Sequence, residues 1–221
     1  MASGGTLAGT GGTATAGKGG SISTGGSLST GGVAGQATML NYEATIATPA
    51  DDCTWINGTK ERLRFSDAEP VLEVGTDAEM GRVGLRFALP LAAGVHIVSA
   101  ILRIYRVGGE TSDSDTLALQ VFDVSNVAPF DATHRHAPEA HASGGLWATK
   151  IGGMPVGKAN QFTQSPDLAP LVQHVLDKPE WLPGGSVGFV IYPETMSGWA
   201  SYADSASAVG KATLRLSYLP R

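Results

Sequence analysis

Ser99-Ala100-Ile101-Leu102-Arg103-Ile104-Tyr105-Arg106 decides the fold class. Apolar and polar residues nearly alternate along it. Because successive side chains of a strand point to opposite faces, it reads as a half-buried strand. Thr116 to Val124 (Thr-Leu-Ala-Leu-Gln-Val-Phe-Asp-Val) is β-rich and partly alternating as well. Residues 39–47, 71–74, 82–88, 186–192, 198–203 and 211–219 supply further candidates. Short strands bounded by Gly, Pro, Asp and Ser point to a sandwich or barrel. There is no regular strand–helix alternation, which argues against Rossmann and P-loop architectures.

One helix breaks the pattern. Leu168, Leu171, Val172, Val175 and Leu176 fall at i, i+3, i+4, i+7 and i+8 and make one apolar face. Asp167 is the expected N-cap, which puts Pro170 in the first turn, where its missing N–H costs nothing. Lys178-Pro179 ends the helix, which is expected to close one mouth of the sandwich.

The chain has 221 residues, 30 of them glycine, and 13 of those glycines fall in residues 1–36. That segment repeats Gly-Gly at 4–5, 11–12, 19–20, 25–26 and 31–32. Its last units, Gly19-Gly20-Ser21-Ile22-Ser23-Thr24 and Gly25-Gly26-Ser27-Leu28-Ser29-Thr30, are nearly identical. Such a stretch cannot bury enough apolar surface to offset its ordering entropy alone. It is either a flexible linker or an arm that orders on a partner, with Leu7, Ile22, Leu28 and Val33 as pegs. Gly12 to Gly19 nearly spells a phosphate-binding loop, but Gly19 stands where Ser or Thr is needed and no apolar strand precedes it. The expected organisation is a Gly/Ser/Thr-rich arm over 1–36 and one β-sandwich domain over 37–221.

Charge narrows the function classes. The net charge is −5, and the only charged residue before Glu43 is Lys18. An acidic domain with no basic stripe is a poor nucleic-acid binder, since phosphate neutralisation needs clustered Lys or Arg. No apolar run reaches the roughly 18 residues of a membrane span. Met1-Ala2-Ser3-Gly4-Gly5 lacks the charged start and apolar core of a secretion signal. A lone cysteine, Cys53, allows no internal disulfide.

Ser165-Pro166-Asp167-Leu168-Ala169-Pro170-Leu171-Val172-Gln173, Lys178-Pro179-Glu180-Trp181 and Gly184-Gly185-Ser186-Val187-Gly188-Phe189-Val190-Ile191 together resemble the C-terminal half of DNRLRE-type jelly-roll modules. In that family a D-[IL]-x-x-[IL]-V-Q helix and a P-x-W corner lead into an apolar strand. A Ser-rich segment and an L-x-[IL]-x-Y strand follow, here Ser201 to Ser207 and Leu214 to Tyr218. Gly84-Leu85-Arg86-Phe87 and Ile97 to Ile104 match two earlier family strands. The match runs over roughly residues 40–219 and leaves the arm uncovered. The resemblance implies an all-β jelly-roll β-sandwich with one short helix. Such modules occur on exported bacterial surface proteins, some of them glycan-binding, and among structural proteins of tailed phages. Fold analogy alone does not choose between these settings.

The residues offer little chemistry. His134-Arg135-His136 with His141 is the densest histidine group, but Ala, Pro and Gly around it read as a solvated loop. His96 and His174 read as structural or exposed. No Gly-x-Ser-x-Gly elbow is present, and Cys53 beside Trp55 reads as a semi-buried thiol. Asp51, Asp52, Asp113, Asp115 and Glu194 are the carboxylates that glycoside hydrolysis would need in pairs, yet all lie in turn-rich sequence. Asp51-Asp52 or Asp113-Ser114-Asp115 offer oxygens for a structural calcium without a complete ligand series. No catalytic residue, metal site or other cofactor is expected. Asn57-Gly58-Thr59 fits the glycosylation sequon and reads as a turn. Of Trp55, Trp147, Trp181 and Trp199, the last, with Tyr202, is the expected exposed pair for stacking on a sugar, while Trp181 packs the helix end.

The sequence therefore supports two non-enzymatic readings. The first is a virion structural accessory protein of a tailed phage, made in the host cytoplasm. It would decorate the capsid or form a tail appendage, held to capsid or tail subunits in a lattice or homo-oligomer by its arm. The second is an exported, extracellular or cell-surface glycan-binding module on a flexible linker.

Overall fold

The computed structural model describes residues 38–57, 62–64, 71–75, 80–130 and 145–220. Among these residues twelve strands and one α-helix run in the order β1 (Leu40–Thr45), β2 (Asp52–Asn57), β3 (Arg62–Arg64), β4 (Val71–Gly75), β5 (Met80–Ala88), β6 (His96–Glu110), β7 (Thr116–Val121), β8 (Ile151–Pro155), β9 (Gln161–Gln164), α1 (Ala169–Leu176), β10 (Ser186–Thr195), β11 (Trp199–Ala203) and β12 (Thr213–Leu219). Every strand pairing among these residues is antiparallel.

The strands form one curled sheet with two halves. One half runs β3-β2-β5-β10-β7-β8, and the other gathers β1, β12, β9, β11 and β4 around β6. β4 and β5 meet only at Gly75 opposite Gly81. A side chain at Gly81 would sit 2.7 Å from the Glu73 carbonyl, so this corner needs glycine for close approach. The halves close over one core that takes Leu72, Val74, Leu102, Ile104, Leu214 and Leu216 from one side and Leu85, Phe87, Leu119 and Phe189 from the other. This is the all-β, sandwich-like fold that the alternation predicts.

β6 is the organising strand. β12 pairs with its first half, from Leu219 opposite His96 to Thr213 opposite Arg103, and β11 with its second, from Tyr202 opposite Arg106 to Trp199 opposite Glu110. The register slips at Val98 and at Val107, and such bulges bend and twist a strand. Beyond β9, β6 meets no strand on that edge among the described residues; side chains bond to it there. Ser165 Oγ accepts from the Leu102 N–H at 3.0 Å, Asp167 Oδ1 from Ala100 at 2.8 Å, and Gln173 Oε1 from Ile97 at 2.7 Å. The backbone joins in, with Ser165 N–H donating to Leu102 O and Leu168 N–H to Ala100 O.

The helix begins one residue later than expected, and Asp167 is not its N-cap. Leu168 holds that position without a side-chain cap, while the Asp167 carboxylate bridges the Ala169 N–H of α1 and the Ala100 N–H of β6. Leu171, Val172, Val175 and Leu176 are buried in the core, as their spacing predicts. β2, β3, β8 and β9 are strands that the sequence reading does not anticipate.

Asp167→Ala removes the acceptor of two backbone donors, one on a fully buried strand residue. We expect a loss of about 2 kcal/mol in chemical denaturation, with Asp167→Asn, which keeps Oδ1, losing less than half of that.

Candidate functional site

The two outer faces of the sandwich differ. Over β2, β5 and β10 a second apolar cluster of Cys53, Trp55, Phe122, Val127, Phe130 and Val190 covers the sheet. Glycines make room for it. A Cβ at Gly84 would lie 2.5 Å from the Trp55 ring, and one at Gly188 2.8 Å from Phe122. Trp55 meets Phe130 edge-on at 5.6 Å. Cys53 is wholly buried here, not semi-buried, and burial, followed by the neighbouring Asp52 charge, pushes its thiol well above the usual range. This face is closed by the protein's own side chains.

The outer face of β1, β12, β6 and β9 is open and polar. Alternation turns Ala100, Leu102 and Ile104 inward, so Ser99, Ile101, Arg103 and Tyr105 line the outside. Register then sets cross-strand rows. Asn41, Ser217 and Ser99 form one; Glu43, Arg215 and Ile101 the next; Thr45, Thr213, Arg103 and Gln164 the third; Tyr105 and Phe162 the last. A groove of about 530 Å³ follows the first three rows, with Tyr42 and Leu216 also in its wall.

Within the groove, Ser217 Oγ donates to Asn41 Oδ1 at 2.7 Å, and Arg215 is paired with Glu43 at 2.5 Å. Arg103 is different. Its guanidinium carbon lies 4.4 Å from the centre of the Phe162 ring, which meets Tyr105 edge-on at 5.2 Å. No carboxylate pairs with Arg103 among the described residues, and its Nε is buried without a hydrogen-bond partner. Phe162 is 42% exposed, so an aromatic ring, a guanidinium and planar amides share one accessible surface.

The aromatic pair expected from sequence does not form. Trp199 is exposed at the start of β11, but Tyr202 is buried and its hydroxyl donates to Val156 O at 3.1 Å, so it presents no ring to a ligand. Burial also pushes its phenol upward. The reason is parity: Trp199 and Tyr202 lie three apart on one strand and so face opposite sides. Trp181 is buried behind the helix and donates to Leu91 O at 2.9 Å. Trp147 stacks on His174 at 4.0 Å, and Asp123 Oδ1 sits 2.6 Å from both His174 Nε2 and Lys178 Nζ. Those bonds, Lys178's first, hold the Asp123 carboxyl below its usual range. His96 is exposed at the head of β6.

Of the acidic residues weighed for calcium or catalysis, Asp51, Asp115 and Glu194 are engaged in hydrogen bonds within the fold. Asp51 Oδ2 accepts from the Ala47 and Thr48 N–H groups, and its Oδ1 meets Arg86 at 2.7 Å. Asp115 closes a turn by accepting from the Ser112 and Ser197 N–H groups. Glu194 occupies a bulge in β10 and accepts from Gly153 N–H at 2.6 Å. Asp113 is exposed, and Asp52 is fully buried. Among the described residues no group of three or more His, Cys, Asp or Glu is placed to hold a metal. Leu7, Ile22, Leu28 and Val33 of the arm, His134, His136 and His141, and Gly58-Thr59 of the sequon lie outside the described residues.

Tyr202→Phe is expected to cost about 1 kcal/mol of stability by thermal or denaturant unfolding and to leave any saccharide affinity unchanged. No family model matches the chain and no curated protein matches it, so the resemblance to DNRLRE-type modules rests on the motifs quoted for it.

Proposed function

We propose that the protein is a non-catalytic binding module whose open sheet face holds an oligosaccharide carrying carboxylates, such as a uronate chain. Arg103 carries the reading: a guanidinium with no carboxylate partner among the described residues, set over an exposed aromatic ring in a polar groove. The apolar face of a sugar ring stacks on Phe162 in the way aromatic surfaces favour. Asn41, Ser99, Gln164 and Ser217 offer donors and acceptors to hydroxyls. A carboxylate would complete Arg103, and guanidinium–carboxylate bonds are among the stronger polar contacts. This places the binding surface on β1, β12, β6 and β9 and away from Tyr202. The setting is extracellular or on a cell surface, with the arm as a linker.

Titration calorimetry with uronate oligosaccharides and their carboxyl-reduced counterparts tests this. We expect the acidic series to bind more tightly. Arg103→Gln should weaken it roughly ten- to hundredfold, the value of a charge-assisted bond, and Phe162→Ala should weaken both series. Trp199→Ala should change neither. Equal affinity of the two series, or no effect of Arg103→Gln, would remove the assignment.

A second reading is favoured by a different observation, the near-identical arm units Gly19 to Thr24 and Gly25 to Thr30. Here the sandwich is a virion accessory protein of a tailed phage, and the arm adds backbone hydrogen bonds along a capsid or tail subunit. Repetition across a lattice multiplies a weak individual contact. Under this reading, deleting residues 1–36 abolishes attachment to particles and leaves the domain folded. Quantitative mass spectrometry of purified particles and of the secreted fraction decides between the two settings. Stoichiometric copies in particles establish the virion, and a secreted form returns the arm to linker status.

A further inference from the structure

Among the described residues, the groove over β1, β12 and β6 is lined by three charged side chains, Glu43, Arg103 and Arg215. Two are guanidinium groups and one is a carboxylate. The carboxylate is committed to one of the two: Glu43 stands opposite Arg215 in the β1–β12 register, and its Oε2 accepts from Arg215 Nε at 2.5 Å. Both side chains are about half exposed, 45% for Glu43 and 51% for Arg215.

Register fixes where the two guanidinium groups stand. Thr213 of β12 faces Arg103 of β6, and Arg215 lies two residues further along β12, on the same side of the sheet. Arg103 and Arg215 are therefore diagonal cross-strand neighbours, about 7–8 Å apart at the backbone. Ile101, opposite Arg215 on β6, brings no charge between them. Arg103 rests on the Phe162 ring and Arg215 on the Glu43 carboxylate, so each cation has a different support.

The support that Glu43 gives is readily exchanged. An exposed ion pair contributes little net free energy, because water and salt screen it and two long side chains must be ordered to make it. A ligand carboxylate that reaches Arg215 replaces one carboxylate with another. β1 pairs with β12 alone among the described residues, so Glu43 stands on the outer strand and can turn toward solvent without moving the sheet.

We propose that Glu43 is a built-in competitor that sets the selectivity of the groove. It occupies Arg215 in the free protein and yields to a carboxylate of the ligand, so that a bound chain presents one carboxylate to Arg103 and a second to Arg215. This rests on the oligosaccharide reading above and narrows it. An isolated carboxylate takes Arg103, where no ion pair has to break, and gains nothing from Arg215. A chain with a carboxylate on every unit engages both, and the exchange at Glu43 offsets part of what it gains.

Titration calorimetry on the full chain tests this with three ligands: a uronate tetrasaccharide, a tetrasaccharide with one terminal uronate, and the fully carboxyl-reduced tetrasaccharide. The wild type should bind them in that order of decreasing affinity. Glu43→Gln should tighten the uronate tetrasaccharide about three- to fivefold, the scale of an exposed ion pair, and change the singly charged ligand less than about twofold. Arg215→Gln should weaken the uronate tetrasaccharide about tenfold and leave the singly charged one unchanged. In the Arg215→Gln background, Glu43→Gln should bring no further gain, because there is no guanidinium left to compete for. The Arg215 Nε–H resonance should shift when wild-type protein is saturated with the uronate tetrasaccharide and stay in place with the singly charged ligand.

No gain from Glu43→Gln, or a gain that persists in the Arg215→Gln background, would overturn the competitor and leave the acidic-oligosaccharide reading standing, provided the wild type still prefers the uronate to its reduced form. Equal affinity for the two tetrasaccharides that carry carboxylates would overturn it as well. Equal affinity of the wild type for the uronate and the carboxyl-reduced ligand would strike the reading itself and the competitor with it.

Discussion

The edge of β6 is the constraint on which the rest depends. A 15-residue strand that pairs with three others cannot be matched along its whole length by backbone alone. An unmatched N–H inside a packed domain costs as much as a lost hydrogen bond. Here a short segment, 165–173, supplies Ser, Asp and Gln side chains at the spacing needed to meet Leu102, Ala100 and Ile97 in turn. The same segment then turns into α1, whose apolar face completes the core. One piece of sequence thus ends the sheet, starts the helix and closes the sandwich.

With that edge closed, the two outer faces are free to diverge, and glycine decides which is covered. Gly84 and Gly188 leave hollows on β5 and β10 that Trp55, Phe122 and Val127 fill. On the opposite half, β6 and β12 carry Ser99, Arg103, Arg215 and Ser217 outward, and nothing apolar among the described residues lies over them. Among the described residues the face of β1, β12, β6 and β9 is open and carries a polar groove, while the face over β2, β5 and β10 is covered. On the open face Glu43 pairs with Arg215 and Phe162 lies under Arg103, and among the described residues no carboxylate pairs with the Arg103 guanidinium.

Much of the fold was legible because it rests on local pattern. The alternation of Ser99 to Arg106, the i, i+3, i+4 spacing of Leu168 to Leu176 and the apolar run Val187 to Ile191 each name their own element. β2 was hidden because Asp52-Cys53-Thr54-Trp55 opens on a charge, and that charge is buried by a residue 153 positions away. β8 and β9 were hidden by Gly152-Gly153 and by a length of only four residues. The groove was not legible at all. Asn41, Arg103, Gln164 and Ser217 come together only through the register of four strands, and register is a tertiary property. Tyr202 shows the opposite failure: proximity in sequence to Trp199 suggested a pair that strand parity forbids.

Buried polar groups make the last link between fold and function. Arg106 is buried, and its guanidinium bonds three carbonyls, those of Gly108, Gly109 and Gly157, with no carboxylate among these partners. It clamps the second β6 bulge, where Gly109 takes a φ of +105° and a Cβ would strike the Trp199 carbonyl. That clamp is charged at every accessible pH, since a guanidinium does not lose its proton in proteins.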